Sequence, residues 1–103
     1  MIAYRLIKNH LGELVKAEER LYYKKGQVVF YEGHQPYGLY VVREGEVVLT
    51  RSKDGKSGVI AILGPGDLLG VEAFLSDTPY KENATADTDL ELSFFGKAIF
   101  EIQ

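Results

Sequence analysis

The chain has 103 residues, room for one domain with a modest core, and 46% of them are hydrophobic and 26% charged. That mixture, with 32 Leu, Ile, Val and Phe residues, excludes intrinsic disorder. A net charge of −3 argues against direct nucleic-acid binding, which draws on a basic surplus, and the absence of cysteine excludes disulfides, thiol catalysis, cysteine-ligated zinc and iron–sulfur clusters.

No apolar run approaches the ~18 residues of a membrane span, and Met1-Ile2-Ala3-Tyr4-Arg5 lacks the charged-then-apolar layout of a signal peptide. The expectation is a cytoplasmic protein with no membrane partner. Ile7, Leu11, Leu14 and Val15 follow the stripe of an amphipathic helix, which predicts a short helix within residues 5–19. Gly12 weakens it by roughly 1 kcal/mol relative to Ala, so it depends on tertiary support.

From Leu21 onward the texture changes to short Val-, Ile-, Leu- and Tyr-rich runs separated by glycines. Strands are predicted at 20–23, 28–31, 38–43, 46–52, 57–63, 83–86 and 89–95, the regular punctuation of an antiparallel sandwich or barrel. Leu90, Leu92 and Phe94 alternate with Asp89, Glu91 and Ser93, the period of a half-buried strand. Arg43-Glu44-Gly45-Glu46 joins two runs through a tight turn, and Asp54-Gly55 is a strong hairpin signal. Val29, Leu39, Val41, Leu49, Ile60, Ile62, Leu90 and Leu92 are expected to form the interior. Residues 96–103 read as the start of a helix, so that residues 1–103 make a single domain with a β-roll over about 20–95.

Gly55-Lys56-Ser57 has the ending of a phosphate-binding loop, but position 50 is Thr where that loop needs Gly, and a hairpin replaces the required strand and helix. His10 and His34 stand alone, without the His-x-His or His-x-Asp pair of a metal-dependent double-stranded β-helix enzyme. Gly64-Pro65-Gly66-Asp67-Leu68-Leu69-Gly70-Val71-Glu72-Ala73-Phe74-Leu75 is the densest signal. It reads as a tight turn followed by a helical turn from about 71 to 75, whose free N–H groups could hold an anion or could merely cap the barrel.

The order of these landmarks resembles the cyclic-nucleotide-binding sensor domain of the CRP/FNR superfamily of bacterial transcription regulators. The resemblance runs from about Leu11 to Phe100. It is carried by Tyr23-Lys24-Lys25-Gly26-Gln27-Val28-Val29-Phe30, Glu32-Gly33 at a first hairpin, Gly38-Leu39-Tyr40-Val41-Val42, Gly45-Glu46-Val47, and Gly64 to Gly70. It implies an all-β fold, an antiparallel eight-stranded β-roll of jelly-roll type with short flanking helices. Family members that bind cyclic nucleotides use a phosphate cassette that opens Phe-Gly-Glu and closes in Arg-Ser/Thr-Ala. The Glu accepts from the ribose 2′-hydroxyl and the Arg pairs with the phosphate. Here Leu69-Gly70 keeps the opening, Val71 takes the Glu position, and Glu72 stands one residue on, rotated by about 100° around a helix. Where Arg-Ser-Ala should stand the chain reads Tyr80-Lys81-Glu82-Asn83-Ala84-Thr85-Ala86, and no Arg follows Arg51. Lys81 is the only cation expected near the cassette end, a point charge beside the repelling Glu82.

The expected function is non-enzymatic: a ligand-sensing regulatory domain with a degenerate phosphate cassette, acting in signalling or transcriptional regulation through a partner. A receptor for cAMP or cGMP and a cupin-like metal enzyme are the alternatives. The expected ligand-binding residues are Leu69, Gly70, Val71, Glu72, Ala73, Lys81 and Asn83, with no catalytic or metal-ligating residue and no cofactor. The expected ligand is a small anion or nucleotide. A protein partner or self-association, through Ile99 and Phe100 and the stripe of the first helix, is expected, and nucleic acid is not. Ending at Gln103, the chain does not reach the dimerisation helix and winged helix-turn-helix of complete regulators, which reads either as a stand-alone sensor domain, the favoured expectation, or as a fragment of a longer regulator.

Overall fold

Short apolar runs that alternate at period two must bury one face each, and here they do so by forming two sheets. The computed structural model describes residues 17–101. Eight strands follow in order: β1 (Glu19–Tyr23), β2 (Val28–Phe30), β3 (Gly38–Glu44), β4 (Val47–Lys53), β5 (Lys56–Leu63), β6 (Leu68–Leu69), β7 (Asn83–Ala86) and β8 (Leu90–Gly96). Helix α1 (Val71–Ser76) lies between β6 and β7, and a 3-10 helix (Lys97–Glu101) follows β8. One sheet runs β1-β8-β3-β6 and the other β2-β7-β4-β5, with every pairing antiparallel. This is the expected all-β roll. The helix expected within residues 5–19 lies outside the described residues apart from 17–19, of which Glu19 already belongs to β1. His10 lies outside them as well.

The Asp54-Gly55 hairpin is present: Lys53 pairs with Lys56, and both turn residues have positive φ, 53° and 76°, as a two-residue primed turn demands. The other turns differ from a hairpin reading. β3 and β4 belong to different sheets, so the turn at Arg43–Glu46 carries the chain across the roll. Gly45 makes that crossing possible, because its φ is 89° and a Cβ there would lie 2.2 Å from the Asp89 carbonyl oxygen. No hairpin forms around Glu32-Gly33 either, since β2 pairs with β7.

The interior is built from Phe30, Val42, Val47, Leu49, Leu69, Ala73, Tyr80, Ala84, Ala86, Leu90 and Leu92. Three expected core residues need correction. On β3 the interior cluster takes Val42 with Tyr40 packed against it, whereas Val41 is only half-buried, one step out of phase on the pleat. On β5, Ile60 and Ile62 are 47% and 59% exposed while Ala61 and Leu63 pack against the core. The pairing with β4 decides this: Ala61 stands opposite Leu49, and a bulge between Leu49 and Thr50 leaves Ile60 as the extra residue. Val29 packs against the cluster from a half-buried position, and Leu39 is buried outside it.

Ser93, expected on a polar face, is buried. Its hydroxyl donates to the Glu18 carboxylate, which also accepts from Arg20 Nε at 2.6 Å. The Ser93 and Arg20 hydrogen bonds hold the Glu18 carboxyl below its ordinary pKa of 4.5.

Candidate functional site

The segment from Gly64 to Asn83 is fixed from both ends. Asp67 accepts the Gly64 N–H at 2.8 Å through its carboxylate, and Gly66 N–H and Asp67 C=O bond to Val42 on β3 at 2.8 and 2.9 Å. That strap presents Leu68 and Leu69 to Val41 and Tyr40 as the two-residue strand β6. Gly70 then turns the chain through φ 65°, and its C=O accepts from Phe74 N–H at 3.0 Å to start α1. Asp77 ends the helix with φ 54°, and Thr78 N–H bonds back to Ala73 at 3.1 Å. Tyr80 returns the chain to the roll: its N–H donates to His34 C=O at 2.9 Å and its C=O accepts from Gly33 N–H at 2.8 Å.

Tyr80, where the resemblance leads one to look for part of a cassette end, is instead a core residue. Its ring stacks on Phe30 at a centroid distance of 3.7 Å and 7° between planes. The same ring lies over Gly70, where a Cβ would come within 2.5 Å of Tyr80 Cε1. Gly70 is thus required twice, by its left-handed backbone and by the aromatic ring above it. Burial pushes the Tyr80 phenol above the tyrosine range, and burial with the neighbouring Tyr23 pushes Tyr40 up to about 12. Both stay neutral at physiological pH.

Beside this turn lies a pocket of about 250 Å³. Gly70, Val71, Glu72 and Ala73 line it from the start of α1, and Lys81 and Glu82 from the segment before β7. Leu49, Ile60 and Leu68 give it an apolar side, and Arg51 enters from β4. Five of the seven expected ligand-binding residues therefore meet around one space. The other two do not line it. Leu69 has its side chain in the core, and the Asn83 carboxamide oxygen accepts the Glu32 N–H at 2.9 Å, holding β7 to the loop after β2.

The expectation that Lys81 is the only cation near the cassette end is corrected by Arg51. Its Nε donates to the Lys81 C=O at 3.2 Å, and a terminal nitrogen reaches the Glu82 carboxylate at 3.4 Å. Arg51 is 30 residues before Lys81 in sequence, but a signal was available. It stands two residues after Leu49 on one strand, so both share a face, and Leu49 belongs to the core beside the pocket. The pocket thus holds two cations, Arg51 and Lys81, and two carboxylates, Glu72 and Glu82. Among the described residues no group of three or more His, Cys, Asp or Glu side chains is placed to hold a metal ion. No helix of the described residues is long and apolar enough to cross a membrane.

A jelly-roll of two four-stranded sheets, with a turn and short helix closing a charged pocket on its side, defines a β-roll domain with a candidate ligand pocket. Residues 20–102 match the family described as "Cyclic nucleotide-binding domain", and the chain belongs to that family. It is 40% identical over 76 residues to a cAMP-dependent protein kinase regulatory subunit of Yarrowia lipolytica, covering 74% of this chain and 20% of that protein. It is 36% identical over 75 residues to the cyclic AMP receptor protein of Thermus thermophilus, covering 72% of this chain and 35% of that one. The co-crystal structure of the regulatory domain of Toxoplasma gondii PKA with cAMP superposes with a TM-score of 0.86 at 26% identity, covering 90% of this chain and 36% of that one. The chain spans about a fifth and about a third of the length of the two curated relatives.

Proposed function

We propose that the domain is a sensor that works by binding and not by catalysis, with the pocket beside Gly70 as its ligand site and a protein partner as its output. In this reading its phosphate cassette is altered, and cAMP and cGMP bind far more weakly than to a receptor with the full cassette. One observation carries this: the pocket sets Glu72 and Glu82 against Arg51 and Lys81, so an entering phosphate meets as many carboxylates as cations. The position of the ribose-binding Glu is taken by Val71, and Tyr80 is committed to the core. Hydrogen bonds to a charged group contribute ~1.5–3 kcal/mol each, so loss of a bidentate pair weakens binding by about two orders of magnitude or more.

A second reading, a cAMP or cGMP receptor of full affinity, is supported by the names of the relatives, among them a cyclic AMP receptor protein and a kinase regulatory domain crystallised with cAMP. Calorimetric titration separates the two. Dissociation constants far weaker than micromolar are expected for both nucleotides. A micromolar or tighter constant for either would overturn the altered-cassette reading in favour of the second.

A further inference from the structure

Arg51 is held in a way that leaves it open to a ligand. Its two hydrogen bonds, 3.2 Å to the Lys81 C=O and 3.4 Å to the Glu82 carboxylate, lie at and beyond the long end of the N–H···O range. The Arg51 side chain is 50% exposed, against 17% for Glu82. Arg51 also borders a second, more open concavity lined by Glu32, Thr78 and Lys81, so the residue is shared by two hollows. An exposed pair of this kind favours its bound form by a factor of about five at most. A phosphate that takes both prongs of a guanidinium gains about two orders of magnitude or more. The exchange therefore favours the phosphate.

We propose that Arg51 is the anion-pairing residue of the pocket and that Glu82 is an internal competitor, displaced when an organic phosphate binds. The proposal rests on the ligand-site reading above and adds the residue that pairs with the ligand and the residue that limits its affinity. Three features select the ligand class. The fork of Arg51 matches phosphate oxygens, Lys81 adds a point charge to the same space, and Leu49, Ile60 and Leu68 offer an apolar wall to the rest of the molecule. Inorganic phosphate would use the first two features and leave the wall unused.

Amide chemical-shift titration of the full chain with cAMP, and separately with inorganic phosphate, tests this in the wild type, Glu82→Gln, Arg51→Gln, Arg51→Lys and the Glu82→Gln/Arg51→Gln double variant. Glu82→Gln should tighten cAMP binding about 5- to 30-fold, since it removes both the competing partner and a repelling charge. Arg51→Gln should weaken it by about tenfold or more, and Arg51→Lys by less. The double variant should gain over Arg51→Gln only the part that comes from the removed charge, less than Glu82→Gln gains over the wild type, because no guanidinium remains to compete for. Inorganic phosphate should bind at least about tenfold more weakly than cAMP. Should Arg51→Gln melt early through loss of its hold on the Lys81 carbonyl, Arg51→Lys and Glu82→Gln carry the test. Unchanged or weaker binding by Glu82→Gln, or affinity within about twofold for the Arg51 variants, overturns the proposal. If the Gly70, Val71 and Ala73 amides still respond to cAMP in that case, the pocket reading stands without Arg51. If these amides respond in no variant, both fall. Equal affinity for inorganic phosphate and cAMP overturns the assignment of an organic ligand.

Discussion

Replacing Gly70 by alanine perturbs the site at its tightest point. The backbone there has φ 65°, a conformation that costs a residue with a Cβ about 1–2 kcal/mol. The new methyl would sit 2.5 Å from Cε1 and 3.0 Å from Cδ1 of Tyr80, and 3.3 Å from Cζ of Phe30. Tyr80 cannot tilt away cheaply, because its ring is stacked on Phe30 and its backbone is tied to Gly33 and His34. Overpacking of this sort costs about 1–3 kcal/mol. The sum, roughly 2–5 kcal/mol, is a large share of the ~5–15 kcal/mol that holds a domain together. Urea unfolding followed by far-ultraviolet circular dichroism and tyrosine fluorescence measures it. A companion variant, Tyr80→Leu, removes the ring carbons that the methyl meets. In the double-mutant cycle the two substitutions should couple by about 1 kcal/mol or more. A loss below about 1 kcal/mol for Gly70→Ala, or strict additivity with Tyr80→Leu, would refute the steric reasoning.

Leu92→Ala, at a fully buried position of β8 between β1 and β3, should cost about 2–5 kcal/mol in the same assay, whereas Ile62→Thr on the exposed side of β5 should change stability by less than about 1 kcal/mol. Glu18 titrates below its ordinary pKa in the folded state, so its contribution is present above about pH 4.5 and is lost as pH falls through the folded value. The stability difference between wild type and Glu18→Gln should therefore be largest at neutral pH and shrink in acid, as thermal melts from pH 7 to pH 3 would record. Tyr40 and Tyr80 titrate above the ordinary 10, so their contribution is present below pH 10 and is lost as pH rises through the folded values. Alkaline melts should show wild-type stability falling from about pH 10 upward, and Tyr40→Phe should flatten that fall.

Period-two runs and turn residues made most of the roll legible: Leu90, Leu92 and the Asp54-Gly55 hairpin behave as their sequence spacing implies. β6 was not legible, because two residues have no period, and Leu68-Leu69 is a strand only through the backbone strap between Gly66, Asp67 and Val42. Ile60 and Ile62 look more apolar than Ala61, yet parity along β5 is set by the partner strand and its bulge and not by residue size. Ser93 is buried because Glu18, 75 residues away, accepts its hydroxyl, and no local pattern announces so distant a partner. The candidate site divides in the same way. The Gly70–Ala73 turn is a local motif and could be read directly. Arg51 joins it only after β4 and the segment before β7 are brought side by side.

The pairing of the strands makes the whole domain one doubled-back ribbon. β4 with β5, β3 with β6, β2 with β7 and β1 with β8 are nested, and the tip of the fold is the Asp54-Gly55 turn. Only the pair at the tip is close in sequence. Each further pair must close a longer loop, at an entropic expense that grows slowly with its length, and pairing so distant in sequence places the domain on the slow-folding side for its size. The pocket joins parts of the ribbon that lie at different distances from its tip. Its Arg51 is on a tip strand, whereas Lys81 and Glu82 reach it only when β7 settles between β4 and β2. A ligand bridging those parts would fasten an outer pair of the ribbon to the pair at its tip. It would act on the rate at which the roll opens as well as on its equilibrium stability.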